Sequence, residues 1–140
     1  MPTPPVTAPP LFALGYSSLP ARALTPDEVG ALVAAAGAQN RRADVTGQLL
    51  LVEDGGRTVR YVQWVEGPRD AVLDLAVRIS NDARHYDVRL SHLGPVAARR
   101  FPSWSMRERR VPAEALDRAR LWTPEAPHLP VRDAAFDVLD

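Results

Sequence analysis

The sequence predicts an α+β fold of the ferredoxin-like sandwich kind, a mixed sheet with two helices on one face. Two amphipathic helix patterns, each introduced by a proline, are the first sign. The second is a turn signal, Asp54-Gly55-Gly56, joining two apolar runs that lie between those helices. The third is a pair of strand-like runs after the second helix, which completes the order β-α-β-β-α-β-β.

Each element has a local reason. The proline-rich residues 1–10 offer little to pack and read as a mobile arm. Leu11 to Ser17 is a short apolar run suited to a central strand, and Ser18 to Ala23, with Pro20, reads as the loop after it. Thr25 can cap a helix, Pro26 suits its first position, and Glu28 completes a capping box. Val29, Leu32, Val33 and Ala36 follow at helical spacing, and the pattern should end between Asn40 and Arg42. Val45 to Val52 and Thr58 to Glu66 read as the two strands of a hairpin. Gly67-Pro68 opens the second helix, whose stripe is Val72, Leu73, Leu75, Ala76 and Ile79 and which should stop before His85. Val88 to Leu93 is a fourth strand and Phe101 to Arg107 a shorter fifth. Beyond Val111, Pro112 to Trp122 reads as a helix and Val131 to Asp140 as a last short one. The domain organisation expected is therefore an arm at 1–10, a folded domain at 11–110 and a helical tail at 111–140. The tail is too small for a core of its own and should pack on the sheet or on a partner.

Composition narrows the function. Apolar residues make up 46% of the 140, ordinary globular usage. Seventeen basic residues balance seventeen acidic ones, so the chain lacks the positive field of a general nucleic-acid or membrane binder. With no cysteine there is no disulfide, no thiol nucleophile, no Cys metal site and no cysteinyl adduct. His92 and His128 are isolated, so a metal site is not expected. The N-terminus has no basic and apolar signal pattern, and no apolar run is long enough to span a bilayer, so a cytoplasmic location is expected.

Five places carry polar or aromatic side chains that an ordinary sheet does not need. Gln63 lies in a strand of Tyr, Val and Trp, where an amide is costly unless it is paired or turned to solvent by alternation. Tyr16 is either a sheet tyrosine with its hydroxyl at the edge or a partner for that amide. Asn40 is either a helix C-cap or an amide aimed at a ligand. Trp104 and Met106 alternate by two, so on a strand both would face one way, as plugs of the sheet or as reporters of Gln63. Arg84 and His85 follow the second helix, where the helix dipole favours positive charge.

In this order the pieces resemble the BLUF domain, a flavin-based sensor of blue light. The matching segments are Gly15-Tyr16-Ser17-Ser18, Asn40 with Val45-Thr46-Gly47, Gln63 with Glu66-Gly67, Ile79 with Asp82-Ala83-Arg84-His85, and Phe101 with Trp104-Ser105-Met106. They cover residues 11 to about 110. The resemblance implies FAD held noncovalently between the two helices, with FMN or riboflavin as alternatives. It implies that Asn40, Gln63 and Arg84 bond the ring edge while aliphatic side chains such as Val33, Val72 and Ile79 support the ring. It implies that Tyr16 gives an electron and then a proton, that the Gln63 amide rearranges, and that Trp104 and Met106 relay the change. Such a protein is a switch without turnover, so no enzyme activity is expected.

Two departures stand out. The segment between Gly47 and Gln63 is longer than usual, at a hairpin tip, and Gln39 replaces a common ring-side residue. Two other readings compete with the sensor. One is a BLUF-like interaction module that no longer holds flavin. The other is an acylphosphatase-like hydrolase using Arg22 and Asn40, although the loop after the first strand lacks a glycine-rich anion nest. Expected partners are the flavin, a second copy of the chain through the exposed sheet face or the tail, and an unidentified downstream protein. Tyr61 and Trp64 are the residues expected to present that sheet face.

Overall fold

The computed structural model describes residues 10–103 and 105–114. The elements are β1 (Leu11–Pro20), α1 (Pro26–Arg42), β2 (Thr46–Asp54), β3 (Arg57–Pro68), α2 (Arg69–Ser80), β4 (His85–Pro95) and β5 (Arg107–Pro112). They form one sheet in the order β4-β1-β3-β2-β5. β3 runs antiparallel to β1 and β2, and β4 runs antiparallel to β1. β5 lies parallel to β2 and makes the sheet mixed. The expected ferredoxin-like arrangement holds.

Alternation on the central strands divides the interior in two. Tyr16 of β1, Leu49 and Leu51 of β2, and Tyr61 and Val65 of β3 pack with Val29 of α1 and Val72 of α2. On the opposite face Ala13, Leu50, Val52, Val62 and Trp64 pack with Phe101 and Val111. β3 serves both layers, which is why its residues from Arg60 to Gly67 are all buried.

Local chemistry fixes the junctions. Thr25 Oγ1 accepts from the Glu28 amide at 3.2 Å, and the Glu28 carboxylate accepts from the Thr25 amide at 3.3 Å, so the expected capping box starts α1. The chain leaves α1 through Asp44, whose φ is 58°. Two glycines permit the close passage beyond it. A β-carbon at Gly47 would fall 2.0 Å from the Trp64 carbonyl oxygen, and one at Gly67 2.7 Å from the Asp44 carbonyl oxygen. Arg99 ties this corner together. Its guanidinium donates to Thr46 Oγ1 at 2.8 Å and to the carbonyls of Asp44 at 2.8 Å and Glu66 at 3.2 Å.

Several boundaries differ from expectation. β1 continues to Pro20, because Ser17 and Ser18 pair with Val62 and Tyr61 of β3, and Leu19 and Pro20 with Tyr86 and His85 of β4. β4 starts at His85 and absorbs an irregularity around Asp87, at φ 52°. The fifth strand is not Phe101 to Arg107 but Arg107–Pro112. Side chains hold the backbone before it. The Glu66 carboxylate accepts from the Phe101 amide, and Asn40 donates to the Ser105 carbonyl. The apolar alternation around Met106 therefore marked an anchored turn, while the true strand is a charged edge. The helix expected from Pro112 is described only at Ala113 and Glu114, and the rest of the tail, the arm at 1–9 and Trp104 lie outside the described residues. Among the described residues no helix is long and apolar enough to cross a membrane.

Candidate functional site

A cleft of about 420 Å³ opens between α1 and α2 above the sheet. Leu32, Val33 and Ala36 line it from α1, and Leu75 and Ile79 from α2. Tyr16, Leu49, Tyr61, Gln63 and Met106 also border it. The arrangement is an apolar slot with a few polar groups, at a volume in the usual range of about 300–1,000 Å³ for small-molecule sites.

Register explains how Gln63 meets Tyr16. The two residues are direct partners across β1 and β3, so their side chains rise on the same face. The Tyr16 hydroxyl donates to Gln63 Oε1. Gln63 Nε2 in turn faces Met106 Sδ at 3.6 Å. Thioether sulfur is a weak acceptor, so the phenol does most to orient the amide. Gln63 is 8% exposed and Tyr16 4%. Alternation does not turn Gln63 to solvent. It turns the amide into the cleft. Burial, with a lesser contribution from Asp82, pushes the Tyr16 phenol well above the ordinary range, so it keeps its proton at neutral pH.

Asn40 lies inside the last turn of α1, and Ala43 is the C-cap. The capping reading therefore fails. Asn40 Nδ2 donates to the Ser105 carbonyl at 2.7 Å, and the Asn40 main-chain carbonyl accepts from the Val45 amide at 2.8 Å. Asn40 borders the cleft while holding the segment that carries Met106.

Arg84 borders the cleft from the loop after α2. Its Nε donates to Asp82 Oδ1 at 2.9 Å. That pairing lowers the Asp82 carboxyl and raises the Arg84 guanidinium. His85 is held at both ring nitrogens, 2.7 Å from Ser18 Oγ and 2.7 Å from the Ile79 carbonyl. Its ring meets Tyr16 edge-on with centroids 6.0 Å apart. These contacts make His85 a clamp between β1, the end of α2 and the Tyr16 ring.

The structure thus brings Tyr16, Val33, Asn40, Gln63, Ile79, Arg84 and Met106 to one cleft. Val72 is not among them. It is fully buried in the core beneath α2. Arg22 does not join Asn40, because it pairs with Glu28 at the start of α1. Tyr61 and Trp64 do not present an exposed sheet face. Tyr61 is 6% exposed and borders the cleft, and Trp64 is 1% exposed on the opposite side. Trp64 Nε1 donates to Glu66 Oε2 at 2.8 Å.

The sequence reading missed Tyr61, Leu32, Leu75 and Asp82 as cleft residues. Tyr61 had a signal, since it lies two residues before Gln63 on one strand. The others depend on how far each helix rotates over the sheet. Among the described residues no cluster of three or more His, Asp or Glu side chains could hold a metal ion.

The cleft fits a flat ring with a polar edge. It has aliphatic walls, a buried amide and a buried phenol. The Tyr61 hydroxyl adds a buried polar atom with no hydrogen-bond partner among the described residues. Comparisons with known proteins agree. The family model for sensors of blue light using FAD matches residues 11–107. The chain is 36% identical over 97 residues to the photoactivated adenylate cyclase subunit beta of Euglena gracilis, covering 69% of this chain and 11% of that protein. The corresponding subunit of Euglena longa is 33% identical over the same length, again at 11% of its own chain. The chain thus spans about a tenth of these relatives. Among solved structures, the dark state of the BLUF protein BlrB superposes with a TM-score of 0.70 at 29% identity, covering 94% of this chain and 96% of that one. Klebsiella pneumoniae BlrP1 with FMN and cyclic diGMP gives 0.64 at 28% identity, covering 92% and 29%. A buried tyrosine–glutamine pair at the foot of an apolar slot, on this sheet and within this family match, means that the chain belongs to the BLUF family of flavin-using blue-light sensors.

Proposed function

We propose that the chain holds FAD in the cleft between α1 and α2, and that light acts on the Tyr16–Gln63 pair. FMN or riboflavin would satisfy the same ring site, and the similar protein BlrP1 has been solved with FMN. Val33 and Ile79 would support the ring, and Asn40, Gln63 and Arg84 its polar edge. Flavin supplies absorption of blue light and an excited state that accepts an electron.

The rest of the work falls to the protein. Tyr16 gives up an electron and then its phenolic proton, and takes them back. The Gln63 amide has a donor and an acceptor on one flat group, so turning or tautomerising it exchanges what it offers to Tyr16 and to the ring. The two arrangements form a bistable network that needs no consumed substrate. We read the chain as a switch without turnover chemistry and not as a cyclase, whatever its longer relatives carry.

Met106 contacts the Gln63 amide and directly precedes β5. With Trp104 it would pass the change to β5 and the 111–140 tail, altering how the tail packs or how copies associate. A downstream protein would read that change, in the cytoplasm. A Met106→Ala protein should keep the spectral response and lose the light-dependent change in the tail.

The observation that carries this reading is the hydrogen bond from the buried Tyr16 hydroxyl to Gln63 Oε1, beside an apolar slot. The purified protein should be yellow, and blue light should red-shift its absorbance reversibly in the wild type but not in Gln63→Leu. A colourless protein that fails to take up added flavin would leave the interaction-module reading standing. The hydrolase reading loses its main support because Arg22 pairs with Glu28 and does not face Asn40.

A further inference from the structure

The cleft contains a second phenol. Tyr61 stands on β3 two residues from Gln63, on the same face, and its partners across the sheet are Ser18 and Leu51. Its ring is fixed by Val29, Leu49 and Leu51, with Leu24 and Val33 against them. Its hydroxyl oxygen is buried and has no hydrogen-bond partner among the described residues, whereas the Tyr16 hydroxyl is committed to Gln63. A phenylalanine would fill the same apolar niche without a polar atom to satisfy. Leaving a buried hydroxyl unpaired costs about 1–3 kcal/mol, and an acceptor on a group that enters the cleft would remove that cost.

We infer that the Tyr61 hydroxyl is a flavin-binding group, donating a hydrogen bond to an oxygen of the bound flavin. The inference rests on the reading that the cleft holds flavin. Two residues along a strand are about 7 Å, so Tyr61 contacts a different part of the ligand from Gln63. Arg84 and Asp82 are the charged groups felt there from the loop after α2, and Arg22 from the loop before α1. The acceptor is either a ring carbonyl or a hydroxyl of the ribityl chain.

The test compares wild type and Tyr61→Phe, each prepared free of flavin. Binding of riboflavin and of lumiflavin, which shares the ring and lacks the ribityl hydroxyls, is followed by quenching of flavin fluorescence. The thermal midpoint of each flavin-free protein is measured alongside. Tyr61→Phe should bind riboflavin about 3- to 10-fold more weakly, as expected for one neutral hydrogen bond. Its flavin-free midpoint should equal or exceed that of the wild type. Equal losses for both flavins place the bond on the ring, and a loss for riboflavin alone places it on the ribityl chain. Unchanged affinity for both flavins overturns the inference and means that the hydroxyl is satisfied by water. A fall in the flavin-free midpoint also overturns it, because the hydroxyl would then be paired within the protein. A wild type that binds neither flavin removes the sensor reading itself.

Discussion

The two faces of β3 place polar side chains under opposite conditions. Toward the helices, Gln63 and Tyr61 border an open cleft, and Gln63 is held by a phenol and a weak sulfur contact. Toward the other layer, Trp64 and Glu66 occupy the alternate positions of the strand and are locked. The Glu66 carboxylate takes the Trp64 indole N–H and the Phe101 amide, and Arg99 closes the corner through main-chain carbonyls. On β3, therefore, the amide proposed to move and a fixed network stand back to back. On that proposal the fixed side anchors the strand while the other side rearranges.

The contrast can be broken in four places. The largest effect is expected at Tyr16. Tyr16→Phe should abolish the reversible light-induced shift while leaving dark flavin binding and the fold in place. Retention of the full shift in that variant would show that the movable pair is not the switch. Next comes Glu66, with no solvent exposure. Glu66→Ala removes the acceptor of two buried hydrogen bonds and opens a cavity, so chemical denaturation should show a loss of at least about 3 kcal/mol. A loss below about 1 kcal/mol would mean that the far side is not locked.

Gln48 sharpens the picture, because it is a flaw in the locked face. It is fully buried on β2, in register with Trp64 and Arg107, and neither atom of its amide has a hydrogen-bond partner among the described residues. Gln48→Leu should raise stability by about 1 kcal/mol, read as a higher denaturant midpoint, and a lowered midpoint would reveal a partner for the amide. The smallest effect belongs to Glu28, at the rim of neither face. Arg22 first, and then the Thr25 amide, hold its carboxyl down at about 2, from an ordinary 4.5. A carboxyl lowered by folding stabilises above its ordinary value and loses that contribution as pH falls through the folded one. The advantage of wild type over Glu28→Gln should therefore be constant near neutrality, shrink below about pH 4.5 and vanish near pH 2. It should be small, because the pair is exposed to solvent. An advantage that survives at pH 2 would assign the effect to something other than the charge.

Much of this was legible along the chain. Local chemistry set α1, through Thr25, Pro26 and Glu28, and the β2–β3 hairpin, through Gly55 and Gly56. The separated pieces around Tyr16, Asn40, Gln63 and Met106 pointed to one site, and they do meet at one cleft. The fifth strand was misplaced, because a short apolar alternation looks the same on a strand and in a turn held by Asn40 and Glu66. Tyr61 was assigned to the wrong surface for a related reason. Period two says that Tyr61, Gln63 and Val65 share a face, and does not say which layer lies above it.

Sequence alone determined the order of elements, the family and the identity of the polar residues, because these follow from short-range patterns and residue types. Only the tertiary structure decided that Tyr16 stands directly opposite Gln63, that Asn40 binds the Ser105 carbonyl instead of capping its helix, and that a second phenol enters the cleft with no hydrogen-bond partner among the described residues. The reason is physical. Strand register and helix rotation are set by burying whole faces together, and no local stretch of chain carries that information.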